Sequence, residues 1–441
     1  MKNVFRSFML CVVTLLVSTS TVAVYADDTS EVILKLLVKK GIVTQQEVDE
    51  MKVEVAKSTV KAETPKTLED RVASVEKDLL SKVGLDKLSS KLKLKGRFAA
   101  GYFNSQKNGT YPNGSFQAPE AKLQFTFQPD DINSVIMRMN MNNGTAQSPF
   151  LDYLYIDTNL MKLTPWEKSP FTLTSRLGRF KVDLGEETWS NNPVESILPS
   201  NSAANVAGSD EGLQLSGKIG KGNPLGWSAA IMNGNTGTGT DNNWLKAFSG
   251  KLYYNIIDPL YISASYYNSG QLDTAASEMS IGGITGAPTN ARKWIRQMAE
   301  VDVRYDFKKG KTLNPPAYCD SLAFVKFAYG HFYDDAKRLS HELAVTDREG
   351  NYGYIEGLYN ITKKLYAAGR ASFVGLNGLD KAASFNSITT NRYERYSMGL
   401  GYRLSGATIL KGEYSLNLEK KGTGGEDPHD DLFSLLIASQ F

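Results

Sequence analysis

Alternation of apolar and polar residues, repeated along most of the chain, is the feature that most limits its possible folds. Within residues 295–307, for example, Val301 and Val303 lie on one face of an extended strand, and Asp302 and Arg304 lie on the other. A period of two is typical of β-strands whose two faces meet different surroundings. The chain is therefore predicted to consist mainly of strands with one apolar face and one polar face.

Sixteen such segments can be counted between residues 92 and 441. Most links after even-numbered segments are short, such as 221–223 and 405–407, whereas most links after odd-numbered segments are longer and rich in Gly, Asn, Ser and Thr. Turns at one end of the strands and loops at the other are typical of a transmembrane barrel. The even-numbered links 160–170 and 308–320 are longer than this rule predicts, so counts of 14 or 18 strands remain alternatives.

A closed barrel in lipid is the arrangement that gives so many two-faced strands suitable surroundings. A soluble sandwich usually has seven to nine strands around one core. In a transmembrane barrel the apolar faces contact lipid, and closure pairs every backbone donor and acceptor. Sixteen strands enclose a space too wide for side chains to fill. We therefore predict an all-β transmembrane antiparallel β-barrel of about 16 strands around an aqueous channel, formed by residues 91–441.

The first 90 residues differ in composition from the rest of the chain. Residues 1–26 combine Lys2 and Arg6 with an apolar run and end in Ala26, a pattern typical of a secretory signal peptide. Residues 27–90 are rich in Lys, Glu, Val and Leu and have helical periodicity. We predict that they form an N-terminal helical segment in the periplasm, containing either a short coiled coil or a single packed helix.

Composition and charge argue against several classes of protein. The chain has 22 Tyr and 38 Gly, and its formal net charge is only +3, so neither a disordered polymer nor a nucleic-acid partner is predicted. We find no His-Glu-x-x-His metal motif and no Gly-x-Ser-x-Gly nucleophile motif. We therefore predict no enzyme activity, no cofactor and no metal site. Only Cys319 follows the predicted signal peptide, so no internal disulfide is expected.

Charged residues on the polar faces are expected to line the channel, because a charge in the lipid mid-plane costs about 2–4 kcal/mol. By alternation, more basic than acidic residues face inward. The basic side chains expected near mid-depth are Arg97, Lys122, Arg138, Arg176, Lys251, Lys326 and Arg370.

Two stretches resemble known outer-membrane proteins. Phe441, with apolar residues at alternate positions before it, resembles the C-terminal signal of Gram-negative outer-membrane barrels. Residues 178–185 (Gly-Arg-Phe-Lys-Val-Asp-Leu-Gly) are similar to a segment of the phosphate-selective porin family (porin O/P-like), although that family would have Pro near Asp183. The resemblance implies a sixteen-stranded porin in the cell outer membrane, assembled as a homotrimer.

In porins of this kind the third external loop folds into the barrel and narrows it. The link 182–209 is long enough for that role, although a surface loop is the alternative. It contains no Lys or Arg, and its acidic residues are Asp183, Glu186, Glu187 and Glu195. An acidic loop opposite a basic wall would set a transverse field across the channel. We expect weak ion selectivity, tilted towards anions.

These features together predict passive diffusion of small hydrophilic solutes and ions through a porin surrounded by outer-membrane lipid. One alternative is a channel selective for phosphate or another anion, although the acidic loop argues against phosphate. A second alternative is a structural outer-membrane protein tethered, for example to peptidoglycan, through residues 27–90.

Overall fold

The computed structural model describes residues 91–441 with several gaps. The predicted signal peptide, the predicted helical segment 27–90 and Cys319 lie outside the described residues. The gaps are residues 143–149, 166–168, 191, 221–223, 235–243, 274–278, 283, 285, 308–320, 341–344, 378–382, 386–387 and 421–428.

Sixteen long antiparallel strands form a closed barrel, which confirms the predicted fold and strand count. Each strand pairs with the next in sequence, and the last pairs with the first. The strands are β1 (Leu92–Ser105), β2 (Ser115–Phe127), β3 (Asn133–Asn140), β4 (Leu151–Asn159), β5 (Phe171–Lys181), β6 (Ser209–Ile219), β7 (Leu225–Met232), β8 (Ala247–Ile257), β9 (Leu260–Asn268), β10 (Lys293–Phe307), β11 (Ala323–Asp335), β12 (Arg348–Asn360), β13 (Leu365–Asn377), β14 (Arg392–Arg403), β15 (Thr408–Lys420) and β16 (Leu432–Gln440).

Short elements occupy the links between these strands. A 3₁₀ helix at Leu160–Leu163 takes up part of the unusually long link after β4. The helices α1 (Glu187–Ser190) and α2 (Lys337–Ser340) are single turns. Short strands occur at Val206–Ala207, Leu272–Asp273, Ser280–Ile281, Ala383–Phe385 and Ile388–Thr390. Among the described residues, no helix has the length and apolar character needed to cross a membrane.

The two faces of the barrel wall differ as the alternation predicts. On β11, Val325, Phe327 and Tyr329 are exposed, whereas Lys326 and Ala328 between them are buried in the barrel interior. Exposed apolar side chains follow the same alternation around the wall, as in an outer surface that contacts lipid. They include Leu154, Ile156, Leu177, Leu213, Leu215, Ile231, Phe248, Leu252, Val301, Ile355, Met398, Leu400, Leu416, Phe433, Leu435 and Ile437.

The seam between the first and last strands closes at Phe441. Arg97 is paired with Gln440 in the register of β1 and β16. The amide of Gly96 donates to the carbonyl of Phe441 (3.1 Å), and the amide of Phe441 donates to the carbonyl of Gly96 (3.0 Å). These two bonds extend the pairing to the last residue, so neither strand leaves a free edge in lipid along this stretch.

The turn between β2 and β3 shows how the short links are held. The carboxylate of Asp130 accepts hydrogen bonds from the backbone amides of Ile132 (2.9 Å) and Asn133 (2.6 Å) and from the side-chain amide of Asn133. The side-chain bond of Asn133, with support from the backbone bonds, lowers the pKa of Asp130 below its ordinary value. The turn is therefore closed by local polar contacts, as expected for Asp in a turn.

A buried carboxylate ties the link between β9 and β10 to the barrel wall. Asp334 on β11 is fully buried and binds Arg296 through two contacts of 2.8 and 2.9 Å, and it binds Arg348 at 2.8 Å. Arg296 also donates to the carbonyl of Met279 (2.7 Å), and Arg348 donates to that of Gly286 (2.6 Å). One acidic group thus orients two cations that hold the link.

Replacing this carboxylate should destabilise the barrel strongly. Asp334→Ala leaves two buried guanidinium groups without their anion, which typically costs about 3–5 kcal/mol. Asp335→Ala is the matched control, since Asp335 contacts the exposed Arg338 (3.0 Å) and such surface pairs are worth about 0–1 kcal/mol. Urea unfolding of both variants in lipid vesicles measures the difference. Equal midpoints would contradict this role of Asp334.

Candidate functional site

The segment between β5 and β6, residues 182–208, folds back into the barrel. Val182 and Leu184 are fully buried and belong to a cluster that includes Tyr267 and Phe332 of the wall. Further along, Leu198 packs in a second cluster of inward-facing residues that includes Phe324, Tyr366 and Ile409. We call residues 182–208 the inward loop. It fills much of the barrel interior and sets the width of the space that remains.

Lys251 on β8 anchors the first part of the inward loop. Its ammonium group lies 2.8 Å from Glu186 and 3.2 Å from Asp183, and it donates to the carbonyl of Gly185 at 2.9 Å. The hydroxyl of Tyr261 donates to the same carboxylate of Glu186. Both acidic residues are buried, so this one cation compensates two carboxylates that water cannot reach freely.

Gly185 is needed at this anchor for steric reasons. Its φ of 65° is in the left-handed region, where side chains are strained. A Cβ at this position would also clash with the carboxylate of Glu300 on β10. Its amide donates to the hydroxyl of Ser265 at 3.0 Å. A side chain at this position would strain the backbone and would displace the carboxylate of Glu300.

Arg370 on β13 supports the middle of the inward loop. It pairs with Glu356 on β12 (2.8 Å), lies 4.0 Å from Glu187 and donates to the carbonyl of Ser200 at 2.8 Å. The carboxylate of Glu187 also accepts from the amide of Ser202 at 2.8 Å. Glu187 is therefore buried in contacts within the loop and against the wall.

The last part of the loop is held by β15. The ammonium group of Lys411 donates to the carbonyls of Pro193 (2.7 Å) and Ser196. The carboxylate of Glu413 accepts from the amide of Ser200 at 2.7 Å. Lys411 is 1% exposed and binds mainly carbonyl groups of the loop, so it fixes the backbone near the loop tip.

The predicted cations separate into two groups with different surroundings. Lys251, Lys326 and Arg370 contact the inward loop; Lys326 lies 3.4 Å from Ser190 of the loop and 3.2 Å from Glu356. The second group lies on strands β1, β2, β3 and β5, and its members do not share these loop contacts. It consists of Arg97, Lys122, Arg138 and Arg176. We call this second group the basic wall.

The predicted acidic residues of the loop meet two of the predicted basic residues, Lys251 and Arg370, by direct contact. Asp183, Glu186 and Glu187 are buried and contact the strands directly, because carboxylates inside the barrel need nearby cations and donors. Among the four predicted acidic loop residues, Glu195 is the one that borders the open cavity.

A cavity of about 470 Å³ lies between three cations of the basic wall, Arg97, Lys122 and Arg138, and residues Asn192 and Glu195 of the inward loop. Its charged border is predominantly positive. The residues around it include Lys95, Arg97, Lys122, Arg138, Gln124, Asn192, Glu195 and Gln440. Within the described residues no group of three or more acidic, His or Cys side chains is arranged to hold a metal ion.

Tyrosine rings and carboxylates hold the basic wall in place. The guanidinium of Arg138 lies 3.7 Å from the ring centre of Tyr153, and that of Arg176 lies 4.1 Å from the ring centre of Tyr155. Cation–π contacts of this kind orient the guanidinium groups as well as stabilise them. The neighbouring carboxylates bind the same cations from the side.

Sequence reasoning missed the carboxylates of the basic wall. Arg97 pairs with Glu120, Arg138 pairs with Asp152 at 2.7 Å, and Arg176 pairs with Asp157 at 2.7 Å. Glu120 could have been found, since it lies two residues before Lys122 and so shares its face. Asp157 follows Tyr155 by two positions, so these two residues share one face of β4. Alternation could not have found Asp152, because a regular strand would place it on the outer face with Leu154.

The barrel is closed, has sixteen antiparallel strands and has a polar, partly open interior. This fold is the fold of the outer-membrane porins. Solved structures share this fold. They include the outer-membrane channel DcaP of Acinetobacter baumannii (TM-score 0.54, 11% identity, 79% of this chain and 97% of that chain) and OmpT, an outer membrane protein of Vibrio cholerae (0.52, 10%, 79% and 97%).

A third structure is the anion-selective porin of Comamonas acidovorans (TM-score 0.50, 11% identity, 79% of this chain and 99% of that chain). At sequence identities of 10–11%, the similarity establishes the fold of this chain and does not identify a solute that it transports. No protein-family model matches the chain, and no curated protein matches it.

Loss of the Lys251 anchor should release the first part of the inward loop. Lys251→Met leaves Asp183 and Glu186 without their cation, at a typical cost of about 3–5 kcal/mol. In detergent, we expect a glutamyl endopeptidase to cleave the peptide bond after Glu186 or Glu187 in this variant. The same bonds should stay intact in the parent chain. Mass spectrometry of the fragments identifies the cleaved bonds.

Lys218→Met is the control, because Lys218 is an exposed residue near the opposite end of β6. Cleavage of the parent chain at the same bonds and the same rate would contradict the anchoring role of Lys251.

Proposed function

We propose that the protein is an outer-membrane porin through which small hydrophilic solutes and ions diffuse passively, with a weak preference for anions. The observation that carries the proposal is the cavity beside the inward loop, with Lys95, Arg97, Lys122 and Arg138 on one side and Glu195 on the other. An apolar outer surface and a charged interior suit a water-filled path through lipid. Fixed charges along such a path select ions by sign.

The preference for anions is proposed to be weak because the basic wall is largely compensated. Among its four cations and their partners Glu120, Asp152 and Asp157, positive charges exceed negative charges by one. Lys95 adds to this excess, and Glu195 opposes it from the loop tip.

A phosphate-selective channel is the second candidate, and the segment 178–185 is the observation that favours it. Against it, the loop residues beside the cavity are Asn192 and Glu195, whereas phosphate is bound best by Arg side chains and other charged donors. If phosphate were the natural solute, adding phosphate to a chloride solution should reduce the chloride current of single channels. An unchanged chloride current would favour the general porin.

Assembly, location and the N-terminal segment complete the proposal. We infer a homotrimer in the outer membrane from the resemblance to porins, and chemical crosslinking of the protein in native membranes tests the subunit number.

A tether to peptidoglycan through residues 27–90 is proposed from their Lys-rich helical pattern. Deleting 27–90 should then release the barrel from sedimented cell-wall material, and retained sedimentation would reject the tether.

Conductance measurements test the proposed channel directly. The purified protein in planar lipid bilayers should give large, ohmic current steps, and a salt gradient should give a reversal potential of the sign expected for anion preference. Arg97→Gln combined with Arg138→Gln should lower the anion-to-cation permeability ratio about twofold or more, because both guanidinium groups border the cavity.

Arg370→Gln is the comparison, since Arg370 is buried against Glu356 and the inward loop. It should change the permeability ratio far less than the double variant. An equal shift in both would mean that the basic wall does not line the conducting path, and the absence of current steps in the parent protein would reject the proposed function.

A further inference from the structure

The register between β3 and β4 is interrupted by a β-bulge beside the basic wall. Arg138 is paired with Tyr153, but the next residue, Met139, is paired with Leu151 instead of Asp152. One extra residue is therefore inserted in β4 at this point. Bulges of this kind redirect a side chain without ending the strand.

The bulge changes the face on which Asp152 lies. In regular alternation Asp152 would share the outer face with Leu154 and Ile156, which are 42% and 45% exposed. Its carboxylate instead contacts the inward-facing Arg138 and Lys122. A carboxylate is therefore removed from the lipid side and placed in the interior.

Inside the barrel, one oxygen of Asp152 serves both cations. Its Oδ2 accepts from Nε of Arg138 at 2.7 Å, lies 2.7 Å from Nη2 of the same residue and lies 3.1 Å from Nζ of Lys122. The side chain of Asp152 is 15% exposed and those of Lys122 and Arg138 are 21% and 15% exposed, so all three groups reach water. Their charges therefore act on ions in the cavity that Lys122 and Arg138 border.

We propose that Asp152 is the specificity-determining residue that keeps the channel only weakly selective for anions. The inference rests on the proposed porin function and names the residue that sets its ion preference. Asp152 compensates two of the four cations of the basic wall, including Arg138, whose guanidinium is also stacked on Tyr153. Removing its charge doubles the positive excess of the wall from one to two without moving a cation.

Asp152→Asn keeps the size of the side chain and one acceptor oxygen, and removes the charge. In planar bilayers with a potassium chloride gradient, we expect the anion-to-cation permeability ratio to rise about 1.5-fold or more, with single-channel conductance nearly unchanged. Asp131→Asn is the matched control, because it makes the same change at a turn residue whose side chain is 77% exposed. Its permeability ratio should equal that of the parent protein.

A second variant tests both the charge and the direction of the side chain. Asp152→Cys is made in a chain whose Cys11 and Cys319 are replaced by Ser. A negatively charged, water-soluble methanethiosulfonate reagent should return the permeability ratio towards the parent value, and a positively charged reagent should raise it further. Both effects require a thiol that faces water inside the barrel, since a thiol on the outer face would be covered by lipid.

The possible failures are distinguishable. If the parent protein conducts and Asp152→Asn has the parent permeability ratio, Asp152 does not set selectivity and the inference is overturned while the porin proposal stands. The inference is also overturned if the reagents modify Asp152→Cys without changing the permeability ratio, or if they do not modify it. If the parent protein forms no conducting channel, the proposed function fails and this inference fails with it.

Discussion

The pairing of backbone polar groups is the constraint on which the rest of this structure depends. In a lipid core an unpaired amide or carbonyl costs several kcal/mol, so a sheet is stable there only when it closes on itself. Closure fixes the antiparallel neighbours of all sixteen strands and the alternation of their side chains. The same alternation that gives lipid an apolar surface places charged residues in the interior, where they must find partners or water.

The interior meets this requirement in two different ways. Where the inward loop contacts the wall, Lys251, Arg370 and Lys411 bind carboxylates and carbonyls of the loop. Where water remains, the cations Arg138 and Arg176 rest on tyrosine rings and pair with aspartates. In the first arrangement the inward loop is held firmly and narrows the barrel. In the second, charged side chains border the space that the loop leaves open.

How much could be predicted from the sequence depends on whether the information is local. A period of two predicts which face a residue occupies, so the strand count and the inward positions of Lys251 and Lys326 follow from short stretches of sequence. The partners of a side chain come from other strands and from a long link, which periodicity does not describe. Periodicity therefore predicts that Lys251 faces inward, but it does not show that Asp183 and Glu186 bind this residue directly. Asp152 was missed for a different reason, because one inserted residue shifts the alternation and a sequence pattern gives no sign of the insertion.

The seam at Phe441 affects how the barrel folds and closes. Gly96 and Phe441 lie at opposite ends of the barrel sequence, and their mutual hydrogen bonds form only when the ribbon has already curved into a ring. The entropy lost in bringing such distant positions together makes this late contact slow. A chain that lacks residues 437–441 would carry an open edge along β1, which is a template for pairing with other chains.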